Sequence, residues 1–516
     1  MACSRDRFSD RPAPDEHVED ARNPTKRIRR EAVTLRQAKV LQRLEEAMGL
    51  VRKLTERSGG VLRLIAPYQT DGVKWMIERE FEDYSADVPG RKPAFGGILA
   101  DDMGLGKTIQ TLAVVASHRL PRATLIVTLK SLVTQWASEA RKFFPQLDVV
   151  VLAVPGDLAH PIRLTRNTVV VTTYSVLASG PGQQLDEAPF ARVILDEAHE
   201  IKNRKSNKFR VAAAIPTNVR WLLTGTPVTR GDKDVSALFE FLRAAHLSDA
   251  AAKRLILRRT REDVAKVVPR LRLPTLTMRT ISVKLTHEER ALYDTYRARG
   301  QAVLLRESTD AVLIDIVAQM RRCLATPRAV DDAYDGPTSK IEALARAFAG
   351  HPKGSRTLVF YQWHTEADDI TARLNVTGCG GTVTRLSGRM TVGERHAAVA
   401  AFMSPNCGGA TTMLVQMQAG GAGLNLYRAT HIYITSPHWN ATSELQAIAR
   451  AHRTGLEHTL IATRLVVPGT VDSYIHSKQQ GKLDEAAAFF NDDRIRGSLG
   501  DTKPVSMDFR EIFFDI

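Results

Sequence analysis

Short apolar runs punctuate the chain from Gly96 onward, each followed by a stretch in which apolar residues fall three and four apart. A first series comprises Thr124–Thr128, Val149–Val154, Val169–Thr173, Val193–Leu195 and Trp221–Thr224. A second comprises Thr357–Tyr361, Thr382–Leu386, Met413–Met417, His431–Thr435 and Thr459–Val467. Runs this apolar predict strands buried on both faces, and their alternation with helical patterns predicts parallel sheets covered by helices. Between the series the pattern is mostly helical and strongly basic, with LILRRTREDV at Leu255–Val264 and HEERALYDTY at His287–Tyr296. The expected fold is therefore α/β, with two tandem lobes joined by a helical segment.

The ends read differently. Residues 1–33 are rich in Arg, Asp and Pro with little to bury, which predicts disorder, and they carry one basic cluster, Lys26-Arg27-Ile28-Arg29-Arg30. That cluster is a candidate for nuclear import or DNA contact. Over residues 34–60, Leu41, Leu44, Met48 and Val51 fall on one helical face, suited to packing on the next domain. The expected division is then 61–245 for the first lobe, 246–338 for the helical linker and 339–480 for the second lobe. A tail follows at 481–516, whose FREIFFDI end is expected to pack back on the fold.

Composition narrows the classes. At 516 residues the chain can bury more than one core. No run approaches the ~20 apolar residues of a membrane span, and Met1–Asp20 lacks the apolar centre of a secretory signal. An intracellular protein without membrane partners is expected. The charge of +15, from 72 Lys and Arg against 57 acids, favours a polyanionic partner such as nucleic acid. Cys3, Cys323, Cys379 and Cys407 are scattered without ligand spacing, which argues against a zinc site or disulfide framework.

Candidate chemistry begins at GGILADDMGLGKTIQ, Gly96–Gln110. Gly104 and Gly106 let backbone N–H groups approach polyphosphate oxygens, Lys107 can reach the terminal phosphates, and the Thr108 hydroxyl can hold magnesium. The strict phosphate-loop pattern places glycine where this chain has Asp101. Farther on, Asp196 and Glu197 close an apolar run, where an α/β sheet presents its ligands. Asp196 is suited to holding magnesium through water, and Glu197 to deprotonating the water that attacks the terminal phosphate.

Taken in order, Pro67-Tyr68-Gln69, DDMGLGKT, DEAH, LLTGTP at Leu222–Pro227 and QAIARAHRTG at Gln446–Gly455 resemble the Swi/Snf family of superfamily-two ATPases. TLIVTLKSLVTQW at Thr124–Trp136, SKIEAL at Ser339–Leu344, TLVFYQWH at Thr357–His364 and QAGGAGLNL at Gln418–Leu426 extend the likeness. The resemblance implies two RecA-like lobes and ATP-driven translocation on duplex DNA, with ATP and Mg2+ as cofactors. It also implies remodelling of protein–DNA complexes, an effect on transcription, and partners among chromatin or transcription proteins, while the cluster Lys26–Arg30 is the ground for expecting a nuclear location. By motif, Gln69 would read adenine, and Asp101, Asp102, Met103, Gly104, Leu105, Gly106, Lys107 and Thr108 would hold the phosphates. Thr224, Gly225 and Thr226 would couple hydrolysis to movement, Arg450 and Arg453 would reach ATP from the second lobe, and Gly420, Gly421 and Gly423 would form a tight loop near DNA or the lobe interface. Arg450 and Arg453 share a face if their stretch is helical.

The chain departs from the family pattern at Asp102, Leu129, Ala449 and Leu456, where Glu, Pro, Asp and Gln are usual. These departures touch coupling and rate more than ATP binding. Its compactness is similar to that of the global transactivators of large insect DNA viruses. The alternatives are a strand-separating helicase, and a DNA-binding transcriptional regulator with little ATP turnover.

Overall fold

The computed structural model describes residues 42–43, 45–50, 66–86, 90–130, 132–159, 163–179, 185, 190–225, 233–269, 272–306, 309–404, 411–417, 424–439, 441–453, 455–479 and 507–515. In the first lobe, helix α1 (Pro67–Phe81) precedes strand β1 (Phe95–Leu99), and α2 (Lys107–Ser117) follows it. Then come β2 (Thr124–Thr128), α3 (Val133–Phe143), β3 (Asp148–Leu152), β4 (Thr168–Thr173), β5 (Arg192–Asp196) and β6 (Val219–Leu223). The short β7 (Ile256–Leu257) and α4 (Arg261–Val267) complete the lobe. The strands pair in the order β3-β4-β2-β5-β6-β1-β7, all parallel.

The apolar runs have a simple cause. Along β2, Leu125 and Val127 join one hydrophobic core while Ile126 joins the core on the opposite face, and Val170 and Val171 divide likewise on β4. A strand covered on both faces needs apolar residues at every position, not at alternate ones. Near the N-terminus, Ala47 and Met48 pack against the first lobe. Leu41, Leu44 and Val51 lie outside the described residues, as do residues 1–33.

The second lobe repeats the plan with β8 (Leu276–Ser282), α5 (His287–Leu305), α6 (Asp310–Ala325), β9 (Arg356–Tyr361), β10 (Thr382–Leu386), β11 (Thr411–Gln416), β12 (His431–Ile434), α7 (Ala441–Ala449) and β13 (Leu460–Val466). Its order is β10-β11-β9-β12-β13-β8, again all parallel.

The connecting segment, expected to be mostly helical, also adds an edge strand to each sheet: β7 beside β1 and β8 beside β13. In β8, Leu276 and Met278 pack inward while Arg279 and Thr280 are exposed. An edge strand buried on one side has no continuous apolar run, so its basic composition hid it. Helices α5 and α6 contribute Tyr293, Leu313, Ile316, Val317 and Met320 to the second lobe's core. The C-terminal Ile512 and Phe513 are buried in that core, and Arg297 Nε and Gln301 Nε2 donate to the Phe513 carbonyl at 3.0 and 2.8 Å.

Candidate nucleotide site between the lobes

Strands β5, β6 and β1 are neighbours, so their C-terminal ends stand side by side. They deliver Asp196–Glu197, Thr224–Gly225 and the glycine loop to one edge of the sheet. That edge is where open α/β sheets bind ligands.

In the loop, Gly104 and Gly106 hold φ of +83° and +77°, a backbone region that side chains disfavour. A Cβ on Gly106 would stand 2.3 Å from Gln69 Nε2, and one on Gly104 2.7 Å from Arg261 Nη2. Gly106 caps the eleven-residue helix α2, and among the described residues the N–H groups of Gly106, Lys107 and Thr108 have no acceptor. Three free donors at the positive end of a helix make an anion seat. Lys107 Nζ donates to the carbonyls of Asp101 at 2.7 Å and Asp102 at 3.4 Å, so it is held over the loop.

Asp101 departs from its expected role. Its buried carboxylate turns behind the loop, accepting from Gln110 Nε2 at 3.1 Å, from the Arg259 N–H at 3.2 Å and from Arg259 Nε at 2.9 Å. An ion pair with Arg259 Nη2 completes the set. An acid bearing negative charge has no attraction for phosphate; here it anchors the loop from below. Asp102 accepts from the Arg261 N–H at 3.1 Å. Gln69 is buried: Oε1 accepts from the Ala66 N–H at 2.9 Å and Nε2 donates to the Leu105 carbonyl at 3.1 Å. Tyr68 OH donates to that carbonyl at 3.1 Å.

Asp196 Oδ2 accepts from Thr128 Oγ1 at 2.9 Å and Trp136 Nε1 at 2.7 Å, and Oδ1 accepts from the Glu197 N–H at 3.0 Å. These bonds fix its plane. Glu197 holds φ of +51°, rare for a residue with a side chain, and such strain concentrates at functional sites. Its Oε2 is buried without a hydrogen bond, 3.5 Å from His199 Nδ1. Burial pushes its pKa above the ordinary carboxylate value; the His199 charge opposes this, Asp196 adds to it, and Lys107 and Arg450 oppose it. A raised pKa on an under-satisfied acid in a cleft suits a general base.

Arg450 belongs to the second lobe, yet it acts electrostatically on Glu197 of the first. Burial lowers its pKa to about 10, with Glu197 pulling upward and Arg453 downward, so it remains charged at neutral pH. Helix α7 ends at Ala449, and Arg450–Arg453 form a turn beyond it, which corrects the expectation of one helical face. The turn separates their targets: Arg453 Nη1 donates to the Leu424 carbonyl at 3.2 Å, and its charge acts on Glu139 of α3.

Thr224 is buried, with its N–H on the Leu99 carbonyl at 3.1 Å, and a Cβ on Gly225 would stand 2.7 Å from Met103 Cγ. Thr224 is thus tied to the end of β1, and Gly225 lies against the loop. Thr226, Gly420, Gly421 and Gly423 lie outside the described residues.

Sequence reasoning missed Trp136, Arg259 and Arg261. Trp136 stood inside a quoted stretch without a role. The two arginines sat in LILRRTREDV, where charges following an apolar pair signal a strand end delivering its arginines to the ligand edge.

For a metal, Thr108 Oγ1 makes no hydrogen bond among the described residues, and Asp196 Oδ1 accepts a single bond, leaving a lone pair. A hydroxyl and one carboxylate are hard oxygen donors of the kind that hold magnesium together with substrate phosphates and water. The residues present fit the ion.

Comparison with known proteins agrees with this geometry. The description of the SNF2-related domain matches residues 68–252, and that of the helicase conserved C-terminal domain matches residues 339–455. The chain carries an SNF2-related domain followed by a helicase conserved C-terminal domain. The two matches fall on the two lobes, each built on an all-parallel sheet. Among curated relatives, the human SWI/SNF-related matrix-associated actin-dependent regulator of chromatin subfamily A member 1 is 28% identical over 479 residues, covering 82% of this chain and 43% of that protein. The probable global transactivator of Orgyia pseudotsugata multicapsid polyhedrosis virus is 26% identical, covering 81% and 89% respectively. An uncharacterized ATP-dependent helicase of Mycoplasma pneumoniae is 27% identical, and 41% of it is covered. The chain thus spans less than half of the human and mycoplasma relatives. A solved Sulfolobus solfataricus SWI2/SNF2 ATPase core in complex with dsDNA is 21% identical, with 87% of this chain and 96% of that one covered and a TM-score of 0.36.

Proposed function

We propose that this chain is an ATP-hydrolysing motor that moves along duplex DNA and displaces or repositions bound protein, acting on transcription in the nucleus. One observation carries the reading: Arg450 of the second lobe lies within electrostatic reach of the under-satisfied Glu197 beside the phosphate loop of the first. A site assembled from two lobes hydrolyses only when they close, so each turnover is tied to a relative movement.

In this reading the free N–H groups of Gly106, Lys107 and Thr108 seat the phosphates, and Lys107 leaves the loop carbonyls to neutralise them. Glu197 orients the attacking water and takes its proton as the water oxygen bonds to the γ-phosphorus and the bond to ADP breaks. Arg450 stabilises charge on the transferring group. Magnesium, seated by Thr108 and Asp196, supplies further neutralisation of the phosphates. Gln69 reads the base, and Thr224 and Gly225 relay loop movement.

The +15 charge supports a polyanionic track, and the relatives named as a regulator of chromatin and a global transactivator support its being DNA in chromatin or transcription complexes. The cluster Lys26–Arg30 is the candidate import signal. The test is ATP hydrolysis without DNA, with duplex and with single strands, at rising salt, alongside displacement of a protein roadblock and strand separation. Duplex stimulation lost steeply with salt, with roadblock displacement and no strand separation, is expected. Strand separation would instead favour the helicase, and unstimulated turnover with intact DNA binding would favour a regulator.

A further inference from the structure

We propose that Arg261 is a positioning residue that couples lobe closure to the phosphate loop, a role that rests on the motor reading above. Its guanidinium spans the cleft. Nε donates to the Met103 carbonyl in the loop at 2.7 Å, Nη2 donates to the same oxygen, and Nη1 donates to the His452 carbonyl of the second lobe at 2.5 Å. His452 lies between Arg450 and Arg453. One planar group therefore touches the loop that seats phosphate and the turn that carries the arginines.

The backbone of Arg261 is fixed to the first lobe. Its N–H donates to Asp102 Oδ2 at 3.1 Å, and Thr260 caps α4 in a capping box with Asp263. Only the side-chain tip crosses. The His452 ring is held in turn, Nε2 lying 2.9 Å from the Pro274 carbonyl just before β8. Gly104 takes on a second purpose, since any Cβ there would meet Arg261 Nη2 at 2.7 Å. If the lobes part, the bond to His452 breaks while the bonds to Met103 persist. The arginine thus marks the closed state from the loop side. Arginine suits this because its fork offers five donors in fixed directions, whereas a lysine at the same place serves as a single point.

The test measures ATP affinity, basal turnover and duplex-stimulated turnover in Arg261→Ala and Arg261→Lys, with thermal melting to confirm folding. Stimulated kcat should fall about 10- to 100-fold, the loss that follows misplacement of catalytic groups by an ångström. ATP affinity and basal turnover should stay within a few-fold, and lysine should not restore stimulation. Parallel loss of affinity and both rates would mean that Arg261 merely builds the loop, and unchanged stimulation would mean that it does nothing; either overturns the proposal. Where alanine fails to fold, the lysine variant decides. A wild type that lacks DNA stimulation rejects the motor reading itself and the coupling role with it, whereas a stimulated wild type with equally stimulated variants rejects the role of Arg261 alone.

Discussion

Away from the cleft, three buried glutamates are held by several hydrogen bonds each. In the second lobe Glu444 accepts from Arg464 Nε at 2.6 Å, the His438 N–H at 2.7 Å and Gln479 Nε2 at 3.1 Å. Glu366 accepts from the N–H groups of Gln362 and Trp363 at 3.0 and 3.3 Å and from the Thr435 hydroxyl. Glu80 of the first lobe accepts from Arg192 through both oxygens at 2.6 Å and from Trp221 Nε1 at 2.9 Å. At the cleft the treatment reverses, and Glu197 Oε2 is buried with no hydrogen bond. An unsatisfied buried acceptor costs about 1–3 kcal/mol. Asp472 also lacks hydrogen bonds on both oxygens, but it is ion-paired with Lys340 at 2.6 Å, whereas Glu197 Oε2 has only His199 at 3.5 Å and is left open to a partner outside the protein.

The largest expected effect tests whether the second lobe completes that site. Arg450→Ala should lower DNA-stimulated turnover by about 10³- to 10⁵-fold, the range of an arginine finger, with ATP affinity changed far less. Arg450→Lys should not restore it, for want of the planar fork. Arg453→Ala should lose less, because Arg453 is directed to Leu424 and Glu139. Turnover within tenfold of wild type in Arg450→Ala would remove the second lobe from the active site.

Next comes the reserved carboxylate. Glu197→Gln should keep nucleotide binding and lose about 10²- to 10⁴-fold in kcat, the usual contribution of a general base. The matched change in a satisfied acid, Glu444→Gln, should do the opposite, lowering melting temperature while the folded fraction turns over normally. If both variants fail in the same way, the contrast between the two acids collapses.

A smaller effect falls on stability alone. Burial by itself would raise the Glu80 pKa, but the Arg192 guanidinium, aided by His118, holds it at about 2 against an ordinary 4.5. A depressed carboxylate pKa stabilises the fold above the unfolded value and loses that contribution as pH falls through the folded one, here between about 5 and 2. The gap is about 3 kcal/mol at neutral pH at 1.36 kcal/mol per unit. Glu80→Gln should therefore destabilise by about 3–5 kcal/mol at pH 7, since Arg192 is left buried without its charge partner. Denaturant melts at pH 7 and pH 3 check this, and a gap from wild type that does not narrow at low pH would reject it.

How much of this could be read beforehand depended on how local the cause was. The strands that carry the loop and Asp196 are buried on both faces, so their apolar runs stood out, whereas β8 is an edge strand and hid behind Arg279 and Thr280. The loop glycines and Lys107 act through their own backbone neighbours and were legible. Arg259 and Arg261 were not, because Asp101 and Met103 lie more than a hundred residues before them and only the fold brings them together. Arg450 and Arg453 were located, but their divergence was not, since it depends on α7 ending at Ala449.

The smallest expected effect concerns the base, and it separates the front of the phosphate loop from its back. A carboxamide has two donor hydrogens and two acceptor lone pairs. Gln69 uses one donor on the Leu105 carbonyl and one lone pair on the Ala66 N–H, which leaves one of each. A free donor and a free acceptor on one amide match the N7 and N6 edge of adenine in a bidentate pair. Guanine presents an acceptor at O6 where adenine has a donor, so it should make at most one of the two bonds. On this account Gln69→Ala should raise the KM for ATP about tenfold, equivalent to about 1.4 kcal/mol, while the KM for GTP moves much less and kcat is nearly unchanged. The rival account is that Gln69 acts only from behind, bracing Leu105 so that Gly106 keeps its left-handed turn. In that case ATP and GTP should weaken by the same factor, because a distorted phosphate seat cannot tell bases apart. Steady-state rates with both nucleotides decide between the two, and equal weakening would move Gln69 from the base-reading groups to those that, like Asp101, hold the loop in place.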